Sequence, residues 1–166
     1  NIYKLSKGYR IYVDANVITT PLFHCIGVIF FKLFGANFFV FKLYGVIINT
    51  MIIFGIYKIQ KSLGISKILS LFFSIILFLA QINIYHNTVN YNNLCLMFAT
   101  YGLLVIININ QISNNKFVLI EAIITYLIIL TKQNVGMIYL SFIIIYNLLF
   151  EKKHKWKNIF KILSIE

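Results

Sequence analysis

ILSLFFSIILFLAQINIYHNTVNYNNLCLMFATYGLLVIININQISNN, residues 68–115, runs for 48 positions between Lys67 and Lys116 without a Lys, Arg, Asp or Glu. A water-exposed domain carries a charged residue at about every fourth position to cover its surface, so this stretch is suited to lipid. The rest of the chain agrees. Of its 166 residues 60% are hydrophobic and 11% charged, and the mean hydropathy is +0.86. That balance does not suit a water-soluble fold of this length.

Working outward, six apolar segments can be marked: 18–35, 38–57, 65–82, 92–109, 117–131 and 135–150. All but the second fall short of the ~20 residues that cross ~30 Å of hydrocarbon unless flanking Asn, Tyr or Lys is counted. Ile, Val, Phe and Tyr favour strands in water, but lipid forbids open sheet edges, so helices are expected. The predicted fold is all-α: a polytopic transmembrane helical bundle of about six membrane segments. Residues 1–17 are expected to end an external loop, 18–150 to hold the membrane helices, and 151–166 to form a basic loop leading to a further segment. Gly35 with Asn37 predicts a tight antiparallel hairpin between the first two helices.

The net charge of +11 arises from 15 basic residues against four acids, Asp14, Glu121, Glu151 and Glu166. The basic residues sit at the ends of apolar runs, where they set topology and contact phospholipid; no basic stripe for nucleic acid is present. The basic segment 58–67 and the tail 152–161, with five lysines, read as cytoplasmic. The uncharged 83–93 loop between them, with five asparagines and two tyrosines, reads as external. Cell-membrane, multi-pass localisation follows, with Lys132 on the external side by the same counting. The first twenty residues, with Lys4, Lys7, Arg10 and Asp14 and no long apolar core, do not read as a signal peptide, and the chain reads as a fragment of a larger membrane protein. Cys25 and Cys95 read as small buried hydrophobes, and Trp156 as an interfacial anchor.

Few residues offer chemistry. Asp14, at the membrane entry before Pro21, is a base, a metal ligand or the ion partner of Arg10, four residues away. Glu121 is placed one turn into an apolar helix and Lys132 near its other end. Eleven residues is almost three turns, which allows the two a common face, with snorkelling as the alternative for Lys132. Ionisable groups within a membrane segment are costly and are functional candidates by default. His24 on the first helix is a packed polar side chain or a ligand. His86 and His154 lie in loops, and no His, Cys or acid spacing suits a metal. No phosphate-binding glycine loop, nucleophile elbow or zincin pair occurs.

GYRIYVDANVITTPLFHCIGVIFFKLFGANFFVFKLYG, residues 8–45, resembles a pattern of the polyprenyl-phosphate-dependent integral-membrane glycosyltransferases. This GT-C type superfamily includes protein mannosyltransferases and lipid A aminoarabinose transferases. In it a Gly-Tyr lead reaches an Asp, then a proline opens a helix ending in Leu-Phe-Gly. LTKQNVGMIYLSFIIIYNLLF (130–150) is similar to the Lys-bearing helix junction of that class, and INIYHNTVNYNNLCLMFATYGLL (82–104) to its loop and following helix. The resemblance implies inverting transfer of a sugar from a polyprenyl-phosphate carrier to an extracytoplasmic protein or glycan acceptor, with a divalent cation as an open option. It implies that Asp14 is a secondary acid, the principal Asp lying upstream. It also implies that Lys132, with Arg10 and Lys7, contacts the carrier phosphate, and that Gln133, His24 and Glu121 complete the substrate-binding set. It puts the first segment on the external face, whereas charge counting over six spans does not; a re-entrant or membrane-surface first segment, or one span miscounted among these short helices, reconciles the two. The alternative is a transporter, flippase or polysaccharide polymerase component in which Glu121 and Lys132 line a substrate path; a structural subunit is the third reading.

Overall fold

In the computed structural model, residues 1–14, 20–85 and 90–150 are described. Among them every regular element is helical: α1 (Ile2–Ser6), α2 (Leu22–Phe34), α3 (Phe38–Ser62), α4 (Lys67–Tyr85), α5 (Tyr91–Ile107), a 3₁₀ turn (Ile109–Gln111), α6 (Asn114–Thr131) and α7 (Gln133–Phe150). The six predicted apolar segments correspond to α2 through α7. Two of these helices, α3 and α6, are long and apolar enough to cross a membrane.

The helix boundaries differ from expectation for identifiable reasons. Pro21 precedes α2 and supplies no N–H, so the helix opens at Leu22, four residues later than predicted. Gly35 ends α2 at φ 94°, a conformation that a side chain disfavours. Asn37 then caps α3 by accepting from the Val40 N–H at 2.9 Å, which makes the expected hairpin. At its other end α3 runs past Lys58 to Ser62. Lysine is a good helix former and its charge suits a helix C-terminus, so the predicted 58–67 loop contracts to 63–66. Residues 1–17, expected as loop, include α1, whose Ile2 is buried against α2. Cys95 is buried as expected, but Cys25 is exposed on the outer side of α2.

The helices pack as a chain of neighbours: α1 on α2, α2 on α3, α3 on both α4 and α5, then α5 on α6 and α6 on α7, with α2 also reaching α6. Asn93 Nδ2 donates to Asn49 Oδ1 at 2.9 Å near the start of α5, and Asn108 Nδ2 donates to Ser62 Oγ at 3.0 Å beyond its end. Similar lengths of chain separate the two bonds on each helix, so α3 and α5 run parallel, side by side. Eleven residues of α3 precede Asn49 but only two of α5 precede Asn93, so α3 projects beyond α5 by about 14 Å at ~1.5 Å per residue. α2 packs against that projecting part, where Tyr44 donates to the Phe23 carbonyl at 3.3 Å. With 13 residues, α2 is only ~20 Å long, short of ~30 Å of hydrocarbon.

The surface is apolar where a soluble bundle would be polar. Among residues 67–80 of α4 the buried ones are Ser70 and Ser74, while Ile68, Leu71, Phe72, Ile75, Ile76 and Leu79 are exposed. Ile68 reaches 83% exposure, so the small polar edge faces α3 and the hydrocarbon side chains face outward. Small residues let helices approach closely where water provides no drive to bury apolar groups, and an apolar surface of this extent marks lipid or protein contact.

Filling that small-residue edge is expected to disrupt the α3–α4 contact. Ser70→Leu should cost about 1–3 kcal/mol by overpacking, whereas Phe72→Leu on the outward face should cost under about 1 kcal/mol. Thermal unfolding in detergent micelles followed by far-UV circular dichroism compares them; equal midpoints would contradict the packing described.

Candidate functional site

The predicted site residues lie in four separate places. Glu121 is fully buried on α6, at its second turn rather than its first because the helix opens at Asn114. Its Oε2 accepts from the Tyr139 hydroxyl of α7 at 2.8 Å. Gly102 of α5 closes the third side: a Cβ there would overlap that hydroxyl, so only glycine leaves room for the tyrosine. Thr125, one turn further along α6, is also buried; its Oγ1 and Glu121 Oε1 lack a hydrogen-bond partner. The cluster therefore draws one residue or more from each of three helices around a carboxylate with one satisfied oxygen.

Lys132 is elsewhere. It is the single residue between α6 and α7, with extended backbone at φ −158° and ψ 103°. The helical periodicity that would have set it above Glu121 has ended, so the expected common face does not form. Its Nζ donates to Asn92 Oδ1 at 2.9 Å and stands 5.2 Å from the centre of the Tyr91 ring. Asn90 caps α5 by accepting from the N–H groups of Asn92 and Asn93, and Asn93 in turn holds Asn49. One polar turn thus joins α3, α5 and the α6–α7 junction, with Lys132 partly exposed and Gln133 and Asn134 exposed beside it.

Asp14 forms the third place. Its Oδ2 accepts from Arg10 Nε at 3.3 Å and from the Arg10 backbone N–H at 2.8 Å, while its own N–H donates to the Arg10 carbonyl at 3.0 Å. Of the three alternatives, ion partner of Arg10 is the one observed. The loop closes over Tyr12 at φ 66°, and Arg10 is 74% exposed. Lys7 Nζ lies 5.7 Å from the Tyr3 ring. His24 is buried edge-on to Phe23, its Nδ1 without a hydrogen-bond partner. It lines a cavity of about 410 Å³ with Phe23, Phe31, Phe38, Phe41 and Asn37. Neither this cavity nor a second between α3 and α4 includes Asp14, Lys132 or Glu121. Among the described residues no group of three or more His, Cys, Asp and Glu side chains gathers, and the Asp14 carboxylate is engaged by arginine. His86, His154 and Trp156 lie outside the described residues.

Sequence reasoning missed Asn92, Tyr139 and Gly102. The run of asparagines before α5 was visible as a loop, but nothing local pairs Asn92 with a lysine forty residues on. Tyr139 and Gly102 carry no signal apart from the packing that joins them.

Removing the hydroxyl in Tyr139→Phe is expected to cost about 1–3 kcal/mol, because the buried Glu121 carboxyl loses its donor. Adding Glu121→Leu should restore much of that loss, since replacing both partners removes the unsatisfied group. A double-mutant cycle on thermal or denaturant unfolding in detergent reads the coupling; additive losses would show that the bond contributes nothing. Against known proteins the chain stands without a match: no family model, no curated protein and no solved structure matches it.

Proposed function

We propose that the chain forms part of a multi-pass membrane glycosyltransferase that takes a sugar from a polyprenyl-phosphate carrier, and that Lys132 contacts the carrier phosphate on the extracytoplasmic side. The observation that carries this reading is the Lys132 ammonium, held by Asn92 and Tyr91 at the α5–α6–α7 end and still partly exposed. Asn92 accepts from the lysine through Oδ1. As the acceptor oxygen attacks the anomeric carbon, the sugar–phosphate bond breaks and negative charge develops on the departing phosphate oxygen. A cation fixed at a membrane interface stabilises that charge more than water does.

The topology supports the same reading. Lys132 meets the start of α5, and Ser62, beside Lys58 and Lys61, meets its far end. The two basic groups are thus separated by α5, about 25 Å for 17 residues. With the lysine-rich 58–67 end cytoplasmic, Lys132 is extracytoplasmic. α2 does not cross, so residues 1–14 return to the Lys132 side, which reconciles the charge rule with the expectation from resemblance. Asp14, closed on Arg10 through Oδ2, shapes the loop there.

A transporter or flippase is the second reading, favoured by the buried Glu121 with its unpartnered oxygen. Membranes containing the larger protein of which this chain would form part are expected to transfer labelled sugar from a polyprenyl-phosphate-linked donor, with Lys132→Met slowing transfer by roughly 10²–10³-fold and Lys132→Arg restoring part of it. Unchanged transfer in Lys132→Met would remove Lys132 from the site. Absence of transfer, together with solute or lipid flux in proteoliposomes that Glu121→Gln abolishes, would replace the glycosyltransferase with the transporter.

A further inference from the structure

α3 and α4 pack side by side without closing completely on each other over residues 50–57 and 71–78. Between them runs a groove of about 430 Å³, lined on α3 by Thr50, Phe54 and Tyr57 and on α4 by Leu71, Ser74 and Phe78. Each set follows the spacing of three or four residues that marks one helical stripe. The stripes end alike. One turn beyond Tyr57 on α3 comes Lys61, and one turn before Leu71 on α4 comes Lys67; because the helices are antiparallel, both lysines stand at the same mouth. Lys58 joins them, its Nζ 5.3 Å from the ring of the groove residue Phe54. All three lysines are exposed, and none has an acidic partner among the described residues.

We infer that this groove is a binding site for one anionic phospholipid, with an acyl chain lying between α3 and α4 and the phosphate head group on Lys58, Lys61 and Lys67. Charge complementarity selects the occupant. A hydrophobic helix, from another chain or from a second copy of this one, would cover the groove equally well but would leave three cations facing it. A zwitterionic lipid brings no net charge to them. An anionic head group on a diacyl tail satisfies both halves at once, with each juxtamembrane lysine adding to the attraction. The buried Ser74 contributes by being small: it keeps α4 close to α3 while leaving the floor of the groove open. This site lies at the end of the bundle opposite Lys132, so it is distinct from the proposed carrier contact, and it rests on the membrane reading but not on sugar transfer.

Flotation with vesicles of pure dioleoylphosphatidylcholine comes first. Failure to float overturns the membrane reading and this site with it, while flotation leaves the site to be decided alone. Native mass spectrometry of the protein in detergent, with dioleoylphosphatidylglycerol or dioleoylphosphatidylcholine added, then reads retained lipid. Expected is one retained phosphatidylglycerol, bound roughly tenfold more tightly than phosphatidylcholine. The exposed triple variant Lys58→Gln, Lys61→Gln, Lys67→Gln should abolish that preference. Ser74→Phe, which fills the groove and keeps the lysines, should lose the lipid. Equal retention of the two lipids, an unchanged preference in the triple variant, or retention by a folded Ser74→Phe would each overturn the site. So would a dimer that Ser74→Phe dissociates, since a second copy would then be the occupant.

Discussion

Asn93 and Asn49 share a hydrogen bond in the interior, 2.9 Å long, and the placing of α5 and of the α6–α7 junction against α3 builds on it. It sets the level at which α5 stands against α3, and the Asn108–Ser62 bond beyond the other end of α5 repeats the same register. Asn92, one residue before Asn93, then holds Lys132 and so the point where α6 turns into α7. A single asparagine-rich turn thereby ties three of the longer helices, and its first residue, Asn90, also caps α5. Hydrogen bonds between membrane helices contribute on the order of 1 kcal/mol each. Their value here is directional: apolar contacts among Ile, Leu and Phe tolerate sliding, and these bonds do not.

The outer surface explains why such bonds are needed. In water, burying α4 would be driven by its Phe and Ile side chains, but these point outward and the serines point in. In a lipid surround, whose tails are as apolar as leucine, association would rest on close packing and on polar contacts. Gly55 facing Thr100 and Gly102 facing Tyr139 are the close approaches on the two sides of α5. Both are places where the absence of a Cβ, rather than the presence of an apolar group, makes the interface.

Composition and charge spacing made the helical class and the positions of six helices legible, because a chain with a 48-residue uncharged run has few ways to satisfy its backbone in lipid. The Gly35–Asn37 hairpin was legible from turn chemistry alone. What could not be read is where helices outlast their apolar runs. α3 continues through Lys58 and Lys61, since a lysine ends contact with hydrocarbon without ending the helix. The site was less legible still. Arg10 and Asp14 are close in sequence and pair as one of the stated alternatives. Glu121 and Lys132 were singled out from the sequence, but their partners, Tyr139 and Asn92, come from other helices. The i to i+11 argument failed because helical geometry stops at Thr131, one residue before the lysine.

That one-residue failure separates the two functional readings. Were α6 to continue, a cation and a carboxylate would lie on one face, and any cavity reaching one would be expected to reach the other. Instead Lys132 leaves the helix at the bundle end, while Glu121 lies about 16 Å back along α6, at ~1.5 Å per residue, behind the Tyr139 ring. An ion pair needs contact within about 4 Å, so neither neutralises the other. Each must be stabilised locally, Lys132 by Asn92, the Tyr91 ring and water at the interface, and Glu121 by a hydroxyl in the interior. A reaction on a lipid-linked phosphate uses only the first, because a phosphate head group stays at the interface. A path through the bundle uses only the second, because it must pass the interior carboxylate. The chemistry of this chain therefore divides along the axis of α6.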